Sequence, residues 1–258
     1  MWTLRDERGR EVASGSWAAR NVPAGMLTSL GAINAFLAKA PAPAKLTVTL
    51  SLQGTAIANQ WDIWVYPAHA EASAPADVVI ARNWDDATKS ALASGKKVIL
   101  FPQVVNSSQS LPGRFLPVFW SPVWFPTQQP NTMGILCDPK HPALAQFPTE
   151  FYSNWQWYEL LQNSRSVNLN DTPATFRPIV EIIDNFARNN KLGSLFEARA
   201  GGGSLLVCTM DLPRLADNQP AAKQLLRSLY AYAGSGSFAP SEELQTALLD
   251  KLFSPSGP

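Results

Sequence analysis

Reactive side chains are scarce in this chain: among 258 residues there are two cysteines and two histidines. His69 and His141 stand far apart, and neither shares a metal-ligand spacing with Cys137 or Cys208, so no metal site is expected. Each cysteine ends an apolar run, Gly134-Ile135-Leu136-Cys137 and Leu205-Leu206-Val207-Cys208, the pattern of a buried free thiol on a strand. A cysteine nucleophile needs small neighbours on a tight elbow. Cys137 instead lies between Leu136 and Asp138, and Cys208 between Val207 and Thr209. Gly-x-Ser-x-Gly is also missing, which disfavours an esterase of the usual kind. Gly201-Gly202-Gly203 separates two strand-like runs rather than a strand and a helix, so it is no phosphate loop, and no cofactor is expected.

Charge is sparse as well. Charged residues make up 16% of the chain, the net charge is +1, and no basic tract occurs, which excludes nucleic acid as an expected partner. No stretch approaches the ~20 apolar residues that a membrane-spanning helix needs. Met1-Trp2-Thr3-Leu4-Arg5-Asp6 lacks the apolar core of a secretory signal. What the chain does have is a 46% hydrophobic content, enough for a sizeable core, together with nine tryptophans and 21 prolines. Prolines in that number imply long shaped loops, and tryptophan in a loop must pack or bind something.

Patterning divides the chain into a β-rich segment (1–67), a linker rich in Ala and Pro (68–76) and an α/β segment (77–258). In the first, Trp2 to Arg5 and Arg10 to Ser14 flank a turn at Asp6-Glu7-Arg8-Gly9. Lys45 to Leu52 alternates with a period of two, as a half-buried antiparallel strand does. Four or five strands are too few for a complete sandwich, so a small partial antiparallel β-sandwich, immunoglobulin-like, is expected. In the last segment, Asp77 to Ala81, a helix from Trp84 to a glycine stop at Gly95, and Lys97 to Phe101 read as a βαβ unit. Further strands are expected at 133–137 and 178–183, with a glycine-turn hairpin on one edge at 195–210. Helices are expected at 149–163, 220–233 and 241–253. The whole predicts a mostly parallel open sheet flanked by helices, amidotransferase-like or flavodoxin-like.

Ligands of open parallel sheets bind beyond the carboxyl ends of the strands. Several strands here run into an acid or amide at that end: Asn83 and Asp85, Asp138, Asp184 and Asn185, and Asp211. Converging carboxylates suit general acid–base or glycosidic chemistry, which makes Asp138, Glu150, Asp184 and Asp211 candidate catalytic residues. The competing reading is that such acids cap the next helix or turn. Trp120, Trp124, Trp155 and Trp157, with His141 and Asn185, are candidate sugar-binding residues, since flat rings pack against pyranose C–H groups. Trp155 and Trp157 would point to different faces of a helix, so at least one of them must pack inside.

The run Asn59-Gln60-Trp61-Asp62-Ile63-Trp64-Val65-Tyr66-Pro67 resembles the end of the immunoglobulin-like domain of long bacterial glycoside hydrolase family 2-like proteins, β-galactosidases and sugar-binding-domain proteins among them. Met133 to Leu144, Phe147-Pro148-Thr149-Glu150, Asn154-Trp155-Gln156-Trp157, Arg177 to Phe186 and Lys191 to Glu197 are similar to the region that follows it. The resemblance implies a glutamine-amidotransferase-like α/β domain, without the cysteine elbow, behind a catalytic barrel that this chain does not contain. It further implies parent proteins that are bacterial and secreted or periplasmic. The expected function is a carbohydrate-related C-terminal accessory region that stabilises, oligomerises or binds sugar. Its partners would be carbohydrate, galactosides included, and the parent catalytic domain or a second copy of the chain. An autonomous β-galactosidase-like hydrolase and a lectin-like sugar binder are the alternatives.

Overall fold

A computed structural model describes residues 1–68, 72–114, 123–127 and 132–255. The chain forms two compact units, Met1–Ala68 and His69–Pro258. In the first, β1 (Trp2–Asp6), β2 (Glu11–Gly15), β3 (Ala44–Ser51) and β4 (Ala58–Val65) form one antiparallel sheet in the order β2-β1-β3-β4. The expected turn after β1 is built by Asp6, whose Oδ1 accepts the Arg8 and Arg10 N–H groups, while Gly9 takes φ 76°. Trp2, Leu4 and Leu46 are the buried heart of the sheet's apolar face, and Val12, Trp17, Val48 and Ile63 pack around them. The expected partial sandwich is therefore corrected to a single four-stranded sheet.

The second unit is an eight-stranded mixed sheet. Its elements, in chain order, are β5 (Val78–Ala81), α1 (Asp86–Ala93), β6 (Lys97–Leu100), β7 (Ser110–Pro112), β8 (Gly134–Cys137), α2 (Tyr158–Gln162), β9 (Arg165–Asn168), β10 (Val180–Ile183), β11 (Leu192–Ala200), β12 (Gly203–Cys208), α3 (Leu212–Leu215), α4 (Pro220–Ala233) and α5 (Thr246–Phe253). The main path runs β5-β6-β12-β11-β10-β8, with β9 on β11 and β7 on β9. Of these strand pairs, β5–β6 and β6–β12 are parallel; β12–β11, β11–β10, β10–β8, β11–β9 and β9–β7 are antiparallel. This overturns the expectation of a mostly parallel amidotransferase-like or flavodoxin-like sheet. The βαβ unit at 78–100 is parallel, because a helix carries the chain back across the sheet. The rest of the sheet does not follow from it.

The reversal occurs at the hairpin. Gly201 and Gly202 take φ 58° and 100°, conformations open to glycine, and join Ala200 to Gly203 in a two-residue turn. The hairpin was expected on an edge, but it lies in the middle of the sheet, and the burial of β12 explains why. Leu206 and Cys208 face one core cluster while Leu205 and Val207 face the other, so both sides of the strand need cover. Trp157, Leu161, Leu212, Leu225 and Leu229 close the first face, and Leu92, Leu249, Leu252 and Phe253 close the second. The helix expected over 149–163 is confined to a 3-10 turn at Trp155–Trp157 and the short α2.

Gly203 shows how closely these layers approach. A Cβ there would lie 2.5 Å from the Lys96 carbonyl oxygen and 2.8 Å from that of Leu92, both main-chain atoms that cannot swing aside. Gly203→Ala is expected to cost roughly 1–3 kcal/mol through overpacking. Gly236→Ala, where a Cβ meets nothing within 4 Å, serves as the control. Urea denaturation of the two variants checks this, with a lower midpoint for the first alone.

Candidate functional site

Strand direction decides where the strand-end acids go. Because β10 and β12 run the same way, Asp184 and Asp211 leave the same edge of the sheet; β8 runs opposite to β10, so Asp138 leaves the other. Asp138 accepts the Lys140 N–H in a turn and is exposed. Asp85 accepts the Thr88 N–H and caps α1. Glu150, at the Asp138 edge, accepts from the Asn154 side-chain amide, and its carbonyl accepts the Cys137 thiol. The four candidate catalytic carboxylates are thus not gathered on one rim.

Asp184 and Asp211 are also heavily engaged. The Asp184 side chain is 1% exposed and takes hydrogen bonds from Arg188 Nε and Nη2, the Asn185 and Asn190 N–H groups and Asn190 Nδ2. Asp211 bridges Arg82 and Arg214, at 2.8 Å and 2.7 Å. Burial works against its ionisation, but the hydrogen bonds and charges of the two arginines outweigh it and hold the carboxyl below its ordinary range. Both thiols are free, and burial raises Cys137 to about 11, with Asp138 and Glu150 adding to the effect, and raises Cys208 to about 12, which disfavours the thiolate.

The sugar-site candidates separate sharply. Trp157 is 0% exposed, donates Nε1–H to Thr149 Oγ1 and packs edge-on against Phe147. Trp155, two residues away, is 70% exposed, with its ring 5.9 Å from that of Tyr158. Trp124 is exposed, and Trp120 lies outside the described residues. His141 Nδ1 accepts the Ala143 N–H, its ring meets Tyr232 edge-on, and burial lowers its pKa against the pull of Glu197 and Asp138. Asn185 is buried and caps the turn at Ala187 and Arg188.

The arrangement best suited to a ligand lies on the second face of the sheet, at its β8–β10 end. Glu181 faces away from the first core cluster, since its neighbours Val180 and Ile182 both point into that cluster. Leu136 sits directly across from Glu181, and Tyr152 across from Leu136, so the three form a row on one face with about 5 Å per step. Tyr152 is 49% exposed and Leu136 43%, and Phe151 meets Tyr152 edge-on at 5.0 Å. Beside Glu181 opens a depression of about 600 Å³, walled also by Asn170, Arg177, Asn189, Asn190 and Lys191.

Its walls are fixed from beneath. Asp184 holds Asn190 by two hydrogen bonds; Asn190 Oδ1 accepts from Asn170 Nδ2, and Asn170 Oδ1 accepts the Lys191 N–H. Asn189 takes φ 51°, a left-handed conformation that asparagine tolerates better than most residues. Tyr152, Glu181, Arg177, Asn170, Asn190 and Lys191 are not among the site residues expected from the sequence. The available signal was the aromatic doublet Phe151-Tyr152 and the polar clusters Asn168-Leu169-Asn170 and Asn189-Asn190-Lys191.

Two outcomes follow from these acids. Asp184→Asn places an amide donor among the donors of Arg188 and Asn190, so it is expected to cost about 2–4 kcal/mol and to open residues 184–190 to limited proteolysis. For Asp211 the depressed folded pKa means that the unfolded chain takes up the proton more readily. Its stabilisation is therefore complete above the ordinary carboxylate value of about 3.9 and fades as pH falls through the folded value. Melting curves should show Asp211→Asn less stable than the parent at pH 7, with the gap closing towards pH 2.

Comparison with known proteins adds the family. The model described as "Domain of unknown function (DUF8487)" matches residues 79–254, and that described as "Domain of unknown function (DUF8488)" matches residues 1–67. Neither description names an activity. No curated protein matches the chain. With its match over most of the sequence, the chain belongs to the DUF8487 family.

Proposed function

We propose that this chain is a non-catalytic, carbohydrate-contacting accessory region of a glycosidase. The observation that carries the reading is an exposed row leading to a preorganised polar depression: Tyr152 beside Leu136, Leu136 beside Glu181, with Asn170, Asn190, Arg177 and Lys191 beyond. Sugar sites pair a flat apolar surface, for the C–H faces of the ring, with fixed donors and acceptors for its hydroxyls. Amides tied to a buried carboxylate lose little freedom when a ligand arrives, which lowers the entropic cost of binding. Trp155 supplies a second exposed ring on the segment that follows Tyr152.

The state of the acids argues against turnover. A glycosidase needs two carboxyl groups about 5–9.5 Å apart across one substrate. Asp138 leaves the opposite edge from Asp184 and Asp211, and those two are engaged by arginines and amides. The resemblance to glycoside hydrolase family 2-like proteins supports a carbohydrate setting and a parent catalytic domain as partner.

Titration with galactose, lactose and longer galacto-oligosaccharides, followed by melting temperature and tryptophan fluorescence, tests the reading. Binding is expected in the micromolar to millimolar range, at least tenfold weaker in Tyr152→Ala and unchanged in Trp2→Phe. Nitrophenyl glycosides should not be turned over by the parent chain. Turnover abolished by Asp138→Asn or Asp211→Asn would overturn the accessory assignment, and no melting shift with any saccharide would remove the sugar.

A further inference from the structure

The charges of the depression give its ligand more definition, on the premise that the surface just described binds sugar. Arg177 Nη1 donates to the carbonyls of Ala174 and Phe176, and Lys191 Nζ donates to the Pro173 carbonyl and Thr172 Oγ1. The two cations thus rest on carbonyls of consecutive residues, Pro173 and Ala174, which brings their heads to one stretch of wall. Neither has a carboxylate partner among the described residues. Those backbone contacts orient the cations and leave donors over: Arg177 keeps Nε–H and the Nη2 pair, and Lys191 keeps one ammonium hydrogen.

The third charged group of the wall, Glu181, has no hydrogen bond or ion pair among the described residues, although two cations line the same depression. Its carboxylate emerges from the middle of β10, whereas the cations are tied to the 172–176 segment. The wall therefore offers separated positive and negative poles, with the Asn170 and Asn190 amides near the cationic one. A neutral sugar would use the acceptor and the amides but leave both cations without an anion. A sugar acid uses all of them: its carboxylate takes the spare guanidinium and ammonium donors as charge-assisted bonds, and its hydroxyls donate to Glu181.

We infer that the depression bounded by Asn170, Arg177, Glu181, Asn190 and Lys191 is a subsite for an acidic saccharide, a uronate residue, with its carboxylate held by Arg177 and Lys191. The probes are trigalacturonate and a glucuronate-capped xylotriose, each titrated calorimetrically in 50 mM salt against its carboxyl-reduced, neutral counterpart. At least one acid is expected to bind tenfold or more tighter than its reduced partner. That preference, the ratio of acidic to reduced affinity, should fall at least fivefold in Lys191→Met and in Arg177→Gln, with circular dichroism unchanged.

Equal affinity for acidic and reduced sugars would overturn the inference while leaving the carbohydrate reading in place. So would a preference for acid that neither variant alters, since that is attraction of a polyanion to the general surface. Binding of no saccharide, acidic or neutral, would remove both.

Discussion

The direction of β11 governs the second unit. Gly201 and Gly202 fold that strand back against β12, and every strand beyond it inherits an alternating sense. Had β11 continued the parallel order of β5, β6 and β12, each later connection would have needed a crossover helix over one face. Antiparallel pairing removes that need. Between β8 and β10 the one α-helix is the five-residue α2, and the second-face helices α1 and α5 bury Leu92, Leu249, Leu252 and Phe253 among residues of β5, β6, β9, β11 and β12. Among the described residues no helix covers the β8–β10 end of that face, and Leu136 and Tyr152 are exposed there at 43% and 49%. The candidate site is a consequence of strand sense.

Asp184 plays the corresponding role for the loop beside it. A carboxylate with a 1% exposed side chain is tolerated because donors from Arg188, Asn185 and Asn190 replace its water. The same bonds orient Asn190, and through it Asn170 and the Lys191 backbone. An acid that looks catalytic from its place after a strand is thus a support for a surface formed by other residues. Asp211 is comparable, holding Arg82 and Arg214 over the ends of the parallel strands.

Local features were legible in the sequence wherever local chemistry specifies them. Asp6 and Gly9 mark their turn, Asp85 and Gly95 bound α1, Gly201-Gly202 closes a hairpin, and α4 occupies the expected 220–233. Strand sense was not legible, because runs such as Gly134–Cys137 and Val180–Ile183 are four residues long and carry no mark of direction. The strands β7 and β9 are not legible for a related reason: Ser110-Leu111-Pro112 and Arg165-Ser166-Val167-Asn168 are too short and polar to stand out from loops. Since the acids' positions depend on strand sense, the predicted rim failed with it. The contrast between Trp155 and Trp157 was readable from their spacing alone, but which of the two would be buried depends on Thr149 and Phe147, brought in by the fold.

The apolar exposure at the β8 end raises the question of whether it is an unprotected sheet edge. An open edge strand offers free N–H groups to any passing strand, which is an aggregation hazard. Here the Cys137 N–H is bound to the Phe151 carbonyl and the Ile135 N–H to Ser153 Oγ, so the segment 151–153 occupies the ladder on the outer side of β8. The backbone is closed while the side chains of Leu136, Phe151 and Tyr152 remain out. Burying one such side chain is worth roughly 1.5–3 kcal/mol, and a fold free of other demands would gain by covering them. Their exposure on a capped edge, next to a polar wall anchored by Asp184, is what a surface needs if it is to hold a ligand through side chains and resist pairing through its backbone.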